Sequence, residues 1–402
     1  MPSYKVLNDP IYGFVMIPRG LILELIDHPW FQRLRRIKQL GLSDFVYPGA
    51  VHSRFHHAMG VFHLMSRAIE ILRMKGQAIS EEEAEGALIA ALLHDAGHGP
   101  FSHALENSLL PIEHEAITLR IMERLDAEFG GRLRPAMEIF AGNHPKRFLC
   151  QLVTGQLDVD RMDYLNRDSF YSGVVEGSIG YHRLLTMMDV DDGRLVFEEK
   201  AGLSIENYLA ARRLMYWQVY MHKTCIVAEQ MLELLLARAK HLGWTRGASP
   251  ALAYFIELKE KDGTGKQEEQ LDMFGSIDDA DVEMFLKMAT DAEDGLLALL
   301  ANGLLSRKFF KVKVSAQVFP AHEVADLREQ CIRVFACRVE EASQLVRLSQ
   351  SAFTPYEPAD DEILIRTKTG QVLPASEILS IGHFCKTEQR HFMTFPPGLS
   401  AL

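Results

Sequence analysis

The pair His94-Asp95 ends a long apolar run and is followed at once by two further histidines, His98 and His103. Residues 87–93 contain no Gly or Pro and are apolar on every face, which predicts a helix surrounded by protein. A carboxylate at the end of such a helix needs a cation nearby, because an unpaired buried charge is costly. Imidazole and carboxylate together suit a divalent transition metal better than calcium. The pair therefore indicates a metal site, although a His-Asp pair alone is more often a hydrogen bond at a helix end.

Two other segments offer ligands of the same kind. Upstream, residues 52–57 (HSRFHH) precede a segment whose apolar positions recur at helical spacing. Downstream, residues 157–165 (LDVDRMDYL) are also predicted to be helical, with Asp160 set among apolar neighbours. The order His, then His-Asp, then Asp, each on its own helix, resembles the ligand set of the HD-domain metal-dependent phosphohydrolases.

The resemblance covers residues 5–240 closely and the remainder loosely. Within the superfamily the chain is most similar to the deoxynucleoside triphosphate triphosphohydrolases, which include bacterial members and the mammalian enzyme that joins a SAM domain to an HD domain. The matched motifs are HSRFHH, LLHDAGHGPFSH, IEHE, DVDRMDYLNRD and YMHK, in the order of that branch. The resemblance implies hydrolysis of a deoxynucleoside triphosphate to deoxynucleoside and inorganic triphosphate. The implied cofactor is a divalent metal ion: manganese, iron, nickel, zinc or magnesium.

The resemblance also assigns roles to residues inside these motifs. The metal ligands would be His57, His94, Asp95 and Asp160. The acid–base cluster would be His103, Glu106 and His114, with Glu106 at a position where well-known relatives carry Asp. The substrate would be bound through its phosphates by Arg54, Arg161, Arg212 and His222, and through its sugar by Gln39, Leu40, Tyr164, Asp168 and Tyr220. Each tyrosine could instead pack in the core with its hydroxyl satisfied.

The N-terminal segment matches a site where relatives bind an activating nucleotide between subunits. The matching residues are Lys5, Asn8, Asp27, Gln32 and Arg35, joined by Arg183 and Lys200 from a neighbouring chain. Glu198 falls where relatives place Arg, and an acid there would repel a triphosphate. The resemblance thus implies a GTP or dNTP effector and a homo-oligomer, either a dimer or a tetramer. The alternative is that Arg35 and its neighbours form ordinary surface ion pairs.

Composition restricts the classes of partner. The formal net charge of −11 disfavours a protein that binds long nucleic acid, whereas a small phosphorylated substrate can be neutralised locally by Arg and Lys. The five cysteines are scattered, which predicts reduced thiols and argues against a zinc–thiolate site. The chain opens without a signal sequence and has no apolar run that could span a bilayer, so we expect a cytoplasmic protein without a membrane partner.

The order of patterns predicts a mainly α fold, with an HD-domain helical core, small β hairpins and a C-terminal α+β lobe. We expect an N-terminal hairpin and helices over residues 1–50, the HD core over 51–245 and the lobe over 246–402, with a mobile segment at about 258–280. Hairpins are predicted at residues 5–18 and 190–197. A helix from Trp30 through Leu40 would carry both Gln32 and Gln39, and a long helix is predicted from Ser204 to about residue 240.

Two alternatives to deoxynucleoside triphosphate hydrolysis remain. One is an HD phosphohydrolase that acts on another phosphoester, such as a nucleoside monophosphate or a cyclic nucleotide. The other is a nucleotide-sensing or nucleic-acid-binding protein in which the chemistry is idle. The complete set of ligand residues and the acidic charge argue against the second alternative.

Overall fold

A computed structural model of the protein describes residues 4–101, 108–109, 112–258, 267–359 and 361–399. Across these ranges the fold is mainly α, as the sequence predicts. The α-helices, numbered in chain order, are α1 (Leu21–Asp27), α2 (Pro29–Gln32), α3 (Arg54–Met74), α4 (Glu81–Leu93), α5 (His114–Glu128), α6 (Arg134–Phe140), α7 (Arg147–Thr154), α8 (Val159–Ser172), α9 (Tyr181–Met187), α10 (Gly202–Met215), α11 (Lys223–Leu242), α12 (Pro250–Glu257), α13 (Gln267–Ser276), α14 (Asp279–Ala289), α15 (Gly295–Leu305), α16 (Ala321–Phe335), α17 (Val339–Leu345) and α18 (Ala375–Ile378). The strands are β1 (Tyr4–Asp9), β2 (Gly13–Pro18), β3 (Met188–Asp191), β4 (Arg194–Glu198), β5 (Lys311–Ser315), β6 (Arg347–Phe353), β7 (Leu364–Arg366), β8 (Val372–Pro374) and β9 (Glu388–Phe395).

Helix α3 packs against both α4 and α8, and the predicted metal ligands lie on α3, on α8 and directly after α4. Ser80 caps α4: its hydroxyl accepts the Glu83 backbone N–H at 3.1 Å, and the Glu83 carboxylate accepts the Ser80 N–H at 2.8 Å. Residues 89–93 are fully buried, so the second half of α4 is surrounded by protein, as predicted. The helix therefore delivers His94 into the interior, where the residue is 8% exposed.

The strands of the described ranges form three small sheets. Strands β1 and β2 make the predicted N-terminal hairpin, with Val6 opposite Met16. The predicted hairpin β3–β4 extends into a four-stranded sheet, because β4 pairs in parallel with β7 and β7 pairs with β8. Strands β5, β9 and β6 form the third sheet. Strand β4 belongs to the predicted HD core and β7 to the predicted C-terminal lobe, so their pairing crosses the boundary predicted at residue 245. The domain boundaries themselves stay a prediction.

The predicted helix from Trp30 through Leu40 is wrong. Helix α2 ends at Gln32, a 3₁₀ turn continues to Arg36, and the chain then extends. The Ile37 carbonyl accepts the Arg54 N–H, and the Gln39 N–H donates to the His52 carbonyl, both at 2.9 Å. Long-range backbone pairing with the HSRFHH segment thus replaces helical hydrogen bonds. Gln39 consequently does not share a helix with Gln32.

The long helix predicted from Ser204 to residue 240 is interrupted. Helix α10 ends at Met215, a π-helical turn spans Tyr216–Tyr220, and α11 begins at Lys223. The break falls at His222, which has extended backbone angles and accepts the Thr224 N–H at 3.2 Å through its ring. The His222 ring thus accepts the Thr224 N–H, which in a continuous helix would donate to a backbone carbonyl of the preceding turn.

The segment predicted to be mobile is in part an ordered helix. Residues 267–276 form α13, whose Leu271 and Phe274 are buried in the core. Residues 259–266 lie outside the described ranges. Periodic apolar residues after the polar stretch account for the helix, because they bury one of its faces.

Two further sequence predictions concern the membrane and the thiols. Among the helices of the described ranges, none combines the length and the apolar character needed to cross a bilayer. The five cysteines are free thiols, as predicted, and the sulfur atoms of Cys331 and Cys337 lie 4.0 Å apart.

Candidate metal centre and active site

Three of the predicted ligands converge from three helices. His57 lies in the first turn of α3, His94 caps the C-terminus of α4, and Asp160 lies in the first turn of α8. The His57 Nε2 atom is 3.0 Å from Asp160 Oδ1 and 3.2 Å from His94 Nε2, and His94 Nε2 is 3.5 Å from Asp160 Oδ1. The three ligand atoms all lie within 4.8 Å of one another, so one ion can reach them together.

The remaining ring nitrogens fix the orientation of both imidazoles. His94 Nδ1 donates to the Ala91 carbonyl at 2.8 Å, and His57 Nδ1 donates to Asp163 Oδ2 at 2.7 Å. Each ring therefore turns its Nε2 atom towards the Asp160 carboxylate, and Nε2 is the atom that would bind an ion. Two imidazole nitrogens and one carboxylate oxygen are ligands that divalent transition metals accept, so the residues present fit the predicted ion.

The electrostatics of this group favour a positive charge. Burial lowers the pKa of His57, but the carboxylates of Asp160 and Asp163 outweigh burial and raise that pKa to about 10. Burial raises the pKa of Asp160, but the hydrogen bonds and charges of His57 and His94 outweigh burial and lower that pKa below its ordinary value. The carboxylates therefore attract cations to this point, and a metal ion can replace the protons of the imidazoles.

Asp95, the fourth predicted ligand, borders this group. Its oxygens lie 3.5 Å from His94 Nε2 and 3.7 Å from His57 Nε2. Arg54 donates to Asp95 Oδ2 at 2.6 Å, and His98 Nε2 lies 3.2 Å from Oδ1. Burial raises the pKa of Asp95, but Arg54 and the histidines outweigh burial and hold it well below its usual range. Asp95 is thus an ionised carboxylate at the edge of the site, and its role as a ligand stays a prediction.

A second pair of histidines lies beside the ligands. The rings of His98 and His114 stack, although His98 follows α4 and His114 begins α5. Gly97 permits this approach, because a Cβ atom there would lie 2.1 Å from the His114 carbonyl oxygen. The Gly97 N–H donates to Thr118 Oγ1 at 2.9 Å, and that hydroxyl donates to the His94 carbonyl at 3.1 Å. Helix α5 is therefore fastened to the turn that carries the ligands.

Of the predicted acid–base cluster, His114 lies in the described ranges, whereas His103 and Glu106 lie outside them. Burial lowers the pKa of His98 to about 3, so the ring against His114 stays neutral. The His114 Nε2 atom lies 3.2 Å from Glu115 Oε1. Histidine is the side chain that most often serves as a general acid, and His114 lies where it could do so.

A cavity of about 230 Å³ opens beside the ligands. Its wall combines ligands, charged residues and an apolar side: His94, Asp95, His114, Glu115, Phe140, Val153, Thr154, Asp160 and Arg161. Arg161 donates to the Gly155 carbonyl at 2.9 Å and to the Asp158 carboxylate, and these contacts hold its guanidinium in place. The guanidinium of Arg161 and the predicted ligands therefore line the same cavity.

Four of the five predicted sugar residues are connected through hydrogen bonds and a ring contact. Asp168 Oδ2 accepts the Tyr220 hydroxyl at 2.9 Å, and Asp168 Oδ1 lies 2.8 Å from His52 Nε2. The rings of Tyr164 and Tyr220 meet edge to face, with centroids 5.9 Å apart. Gln39 joins the group through its bond to the His52 carbonyl, and its buried Oε1 has no hydrogen-bond partner among the described residues. A buried acceptor of this kind can receive a hydroxyl donor.

Three other predicted substrate residues have structural contacts of their own. Leu40 packs at the edge of the core. Arg212 donates to the Pro355 carbonyl at 2.5 Å and lies over the Phe353 ring, 5.3 Å from its centroid, so the C-terminal part of the chain anchors it. His222 caps α11 with its side chain. Their roles in substrate binding stay predictions.

Comparison with known proteins decides the family. Family models match as HD domain over residues 54–168 and as HD associated region over residues 179–246. The crystal structure of a phosphohydrolase from Bacteroides thetaiotaomicron is 44% identical, superposes with a TM-score of 0.92, and the match covers 98% of this chain and 99% of that one. This chain belongs to the HD-domain phosphohydrolase family.

Relatives with curated names extend the comparison. The uncharacterized protein YwfO of Bacillus subtilis is 31% identical over 98% of this HD-domain chain and 93% of its own length. Human deoxynucleoside triphosphate triphosphohydrolase SAMHD1 is 30% identical over 57% of this chain, and its homolog in Dictyostelium discoideum is 34% identical over 55%. These two matches cover 44% and 46% of the SAMHD1 proteins. The chain thus spans less than half the length of these two named triphosphohydrolases.

The N-terminal residues predicted to bind an effector lie on the surface of the HD-domain protein. Lys5 Nζ is 3.8 Å from Asp27 Oδ1, with both side chains more than half exposed. Arg35 donates to Gln32 Oε1 at 2.8 Å and lies over an aromatic ring of α3. Asn8 is exposed on β1. Because Gln39 lies on a separate extended segment, a rigid helix does not connect this cluster to the sugar residues.

The proposed cationic partners of that cluster lie elsewhere on the chain. Arg183 donates to the Lys200 carbonyl at 2.7 Å. Glu198, the acid that departs from the pattern of relatives, pairs with Lys75 at 3.1 Å. A neutralised Glu198 repels a triphosphate less than an isolated carboxylate would. The effector site stays a prediction.

Sequence reasoning missed several buried charges around the HD ligands. Asp163 accepts from His57, Arg167 binds Asp163, and Asp9 binds Arg167 in turn. His52, to which the sequence patterns give no role, lies 2.8 Å through its Nε2 from Oδ1 of the predicted sugar residue Asp168. Spacing could have found the first pair, because Asp163 and Arg167 are four residues apart on one helix and so face each other. The pairing with Asp9 spans 158 residues and leaves no local signal.

Proposed function

We propose that this protein hydrolyses deoxynucleoside triphosphates to deoxynucleoside and inorganic triphosphate. The observation that carries the proposal is the convergence of His57, His94 and Asp160 beside a cavity that Arg161 and His114 also line. Ligands for a divalent ion, a fixed cation and a histidine beside them are groups that phosphoester hydrolysis uses. The resemblance to named triphosphohydrolases supports the choice of substrate.

The reaction consumes one water molecule and breaks the bond between the α-phosphorus and the 5′ oxygen. A divalent ion held by the ligands would supply Lewis acidity and lower the pKa of water. Arg161 and Arg54 would balance charge that develops on the phosphoryl oxygens. His114 would donate a proton to the departing 5′ oxygen, which leaves as the hydroxyl of the deoxynucleoside.

The group around Asp168 would select the sugar. Gln39 Oε1 and the Asp168 carboxylate are the acceptors that would bind the 3′ hydroxyl, while the rings of Tyr164 and Tyr220 would close against the 2′ carbon. A ribonucleotide must fit one more hydroxyl into the same space. Its rejection by a tight wall is therefore the proposed source of the preference for deoxyribose.

The same proposal includes a homo-oligomer activated by GTP or a deoxynucleoside triphosphate. The exposed cluster of Lys5, Asp27, Gln32 and Arg35 supports it, since it offers cations and an amide at one place on the surface. Light scattering with and without GTP or dGTP tests the assembly. A monomer whose rate ignores both nucleotides contradicts the effector and leaves the active site untouched.

The experiment that tests the activity is a matched substrate panel. The full chain is incubated with each of the four deoxynucleoside triphosphates, the four ribonucleoside triphosphates, deoxynucleoside monophosphates and cyclic nucleotides, each with manganese, magnesium, zinc, nickel or ferrous iron. Chromatography of the products should find deoxynucleoside and triphosphate from the deoxy series and little turnover of the others. Turnover confined to monophosphates or cyclic nucleotides would assign the protein to the alternative phosphoester activity.

A further inference from the structure

A continuous line of charged hydrogen bonds runs from the metal ligand His57 to the N-terminal hairpin. His57 Nδ1 donates to Asp163 Oδ2 at 2.7 Å. Arg167 donates to Asp163 through Nε at 2.8 Å and through Nη2 at 2.9 Å, which is a bidentate hydrogen bond between guanidinium and carboxylate. The third nitrogen, Arg167 Nη1, donates to Asp9 Oδ2 at 2.9 Å. Asp9 is the last residue of β1.

The whole line is buried. Asp163 and Arg167 are fully buried, and Asp9 is only 5% exposed. Charged groups withdrawn from water interact strongly when every partner is present, and loss of one partner leaves an uncompensated charge. Helix α3 makes room for these charges at Gly60, where a Cβ atom would lie 1.9 Å from Asp163 Oδ1 and 2.3 Å from Arg167 Nη2.

Asp9 has two separate roles, one on each oxygen. Its Oδ1 atom accepts the N–H groups of Ile11 at 2.8 Å and Tyr12 at 3.0 Å, which closes the turn of the hairpin. Its Oδ2 atom accepts from Arg167. The Tyr12 ring also lies near the guanidinium, 5.6 Å from centroid to carbon. The hairpin turn and the arginine are therefore fixed by a single carboxylate.

We propose that Asp9 is a remote positioning residue of the metal site, which acts through Arg167 and Asp163 on His57. Asp163 holds the His57 ring in the tautomer that presents Nε2, and Arg167 holds Asp163 in place. Asp9 anchors the far end of Arg167, so the hairpin is part of the support of the metal ligand. This inference rests on the proposed metal site, and it assigns a function to a hairpin that contributes no ligand.

The test measures metal binding directly, without catalysis. The full chain and its variants are stripped with a chelator and titrated calorimetrically with Mn²⁺ alone. Asp163→Asn should weaken binding by about 10-fold to 100-fold, the range for groups that orient a metal-bound imidazole. Asp9→Asn keeps an oxygen for the turn but loses the charge opposite Arg167, and because Asp9 acts at one remove it should weaken binding by about 10-fold, the low end of that range.

Double substitution separates positioning from general destabilisation. If Asp9 acts through Asp163, the variant with both substitutions binds Mn²⁺ no more weakly than Asp163→Asn alone, because the line is already broken. Losses that add would show an independent structural effect and overturn the proposal. If Asp9→Asn does not fold, Arg167→Lys tests the same connection. It keeps the positive charge but loses the bidentate hydrogen bond to Asp163, so it should also weaken Mn²⁺ binding.

A matched control comes from the C-terminal part of the chain. Asp294 likewise uses Oδ1 to accept a backbone N–H, from Leu297 at 2.9 Å, and Oδ2 to bind an arginine, Arg238 at 2.6 Å. Asp294→Asn should leave Mn²⁺ affinity unchanged. Equal affinity of Asp9→Asn and the unsubstituted chain, or equal losses in Asp9→Asn and Asp294→Asn, would contradict the proposal. Failure of the unsubstituted chain to bind Mn²⁺ and each of the other candidate ions, namely iron, nickel, zinc and magnesium, would instead overturn the metal site itself.

Discussion

The imidazole rings of His98 and His114 stack with their centroids 3.8 Å apart and their planes 20° from parallel. His98 contacts the carboxylate of Asp95, and His114 lines the cavity next to the ligands. The stack therefore connects the metal site with the residue that would protonate the leaving group. It also requires the turn at Gly97, which no larger residue could occupy without moving α5.

Replacement of His114 should separate chemistry from metal binding. His114→Ala is expected to lower kcat by about 10²-fold to 10⁴-fold, the usual contribution of general acid–base catalysis. Mn²⁺ affinity should not change, because His114 is not among the converging ligands. Rates and calorimetric titrations on the same preparations check both parts. His322→Ala, at an exposed position of α16, is the control and should keep full activity; a kcat of His114→Ala equal to that of the control would remove His114 from the mechanism.

Replacement of His94 should abolish both metal binding and hydrolysis. His94→Ala removes one of three converging ligand atoms, so we expect a loss of at least about 10³-fold in kcat/KM. Added Mn²⁺ should raise the Tm of the unsubstituted protein, because an ion that binds the folded state stabilises it, and should leave the Tm of the variant unchanged. Full activity of the variant in metal-saturated buffer would refute the assignment.

The convergence of His57, His94 and Asp160 could be expected because the family's motifs contain all three residues. The structure places each of them in the first turn of a helix or at its C-terminal cap. The broken helix at residues 30–40 was not predictable from periodicity. There, Gln39 and Ile37 bond to the distant segment of His52, and such long-range pairing overrides local helical preference.

The buried charged residues next to His57 also show that local patterns do not predict long-range contacts. Arg167 faces Asp163 because four residues separate them on α8, and helical spacing alone could have indicated that pair. Its second partner, Asp9, lies on another element, and the contact exists only after the hairpin packs against the helices. At His222 the local pattern was misleading in another way. Apolar periodicity predicts that His222 lies inside a continuous helix, but in the structure it caps the start of α11.

Removal of one of the two tyrosine rings at the proposed sugar site should weaken discrimination against ribonucleotides. Tyr164→Ala removes the ring that meets Tyr220 edge to face and opens space next to the proposed sugar site. The ratio of kcat/KM for dATP to that for ATP should fall by at least about tenfold, because rejection by a filled pocket depends on its volume. Tyr164→Phe keeps the volume and should keep the ratio. An unchanged ratio in Tyr164→Ala would place the sugar elsewhere.

Asp279 should make the stability of the protein depend on pH. Its Oδ2 accepts the Lys38 N–H at 2.9 Å, and burial raises its pKa from 3.8 to about 7. Between these values the folded state keeps a proton that the unfolded chain has lost, so this contribution to stability is full below pH 4 and is lost as the pH rises through 7. Asp279→Asn keeps an acceptor without charge.

The free energy of unfolding of Asp279→Asn should exceed that of the unsubstituted protein by up to about 4 kcal/mol at pH 8, and the two should be equal near pH 4. Urea denaturation at both pH values measures the difference. The same substitution at an exposed turn, Asp192→Asn, should show no such dependence. A difference that is larger at pH 4 than at pH 8 would reverse the sign and contradict the burial argument.

Isotope labelling during turnover tests the central claim most directly. The protein is incubated with dATP and Mn²⁺ in water enriched in ¹⁸O, and the products are separated and weighed by mass spectrometry. Attack of water at the α-phosphorus predicts inorganic triphosphate that carries one ¹⁸O atom and deoxyadenosine that carries none. Label in the deoxyadenosine, or dAMP with pyrophosphate or dADP with phosphate as the main products, would contradict the account.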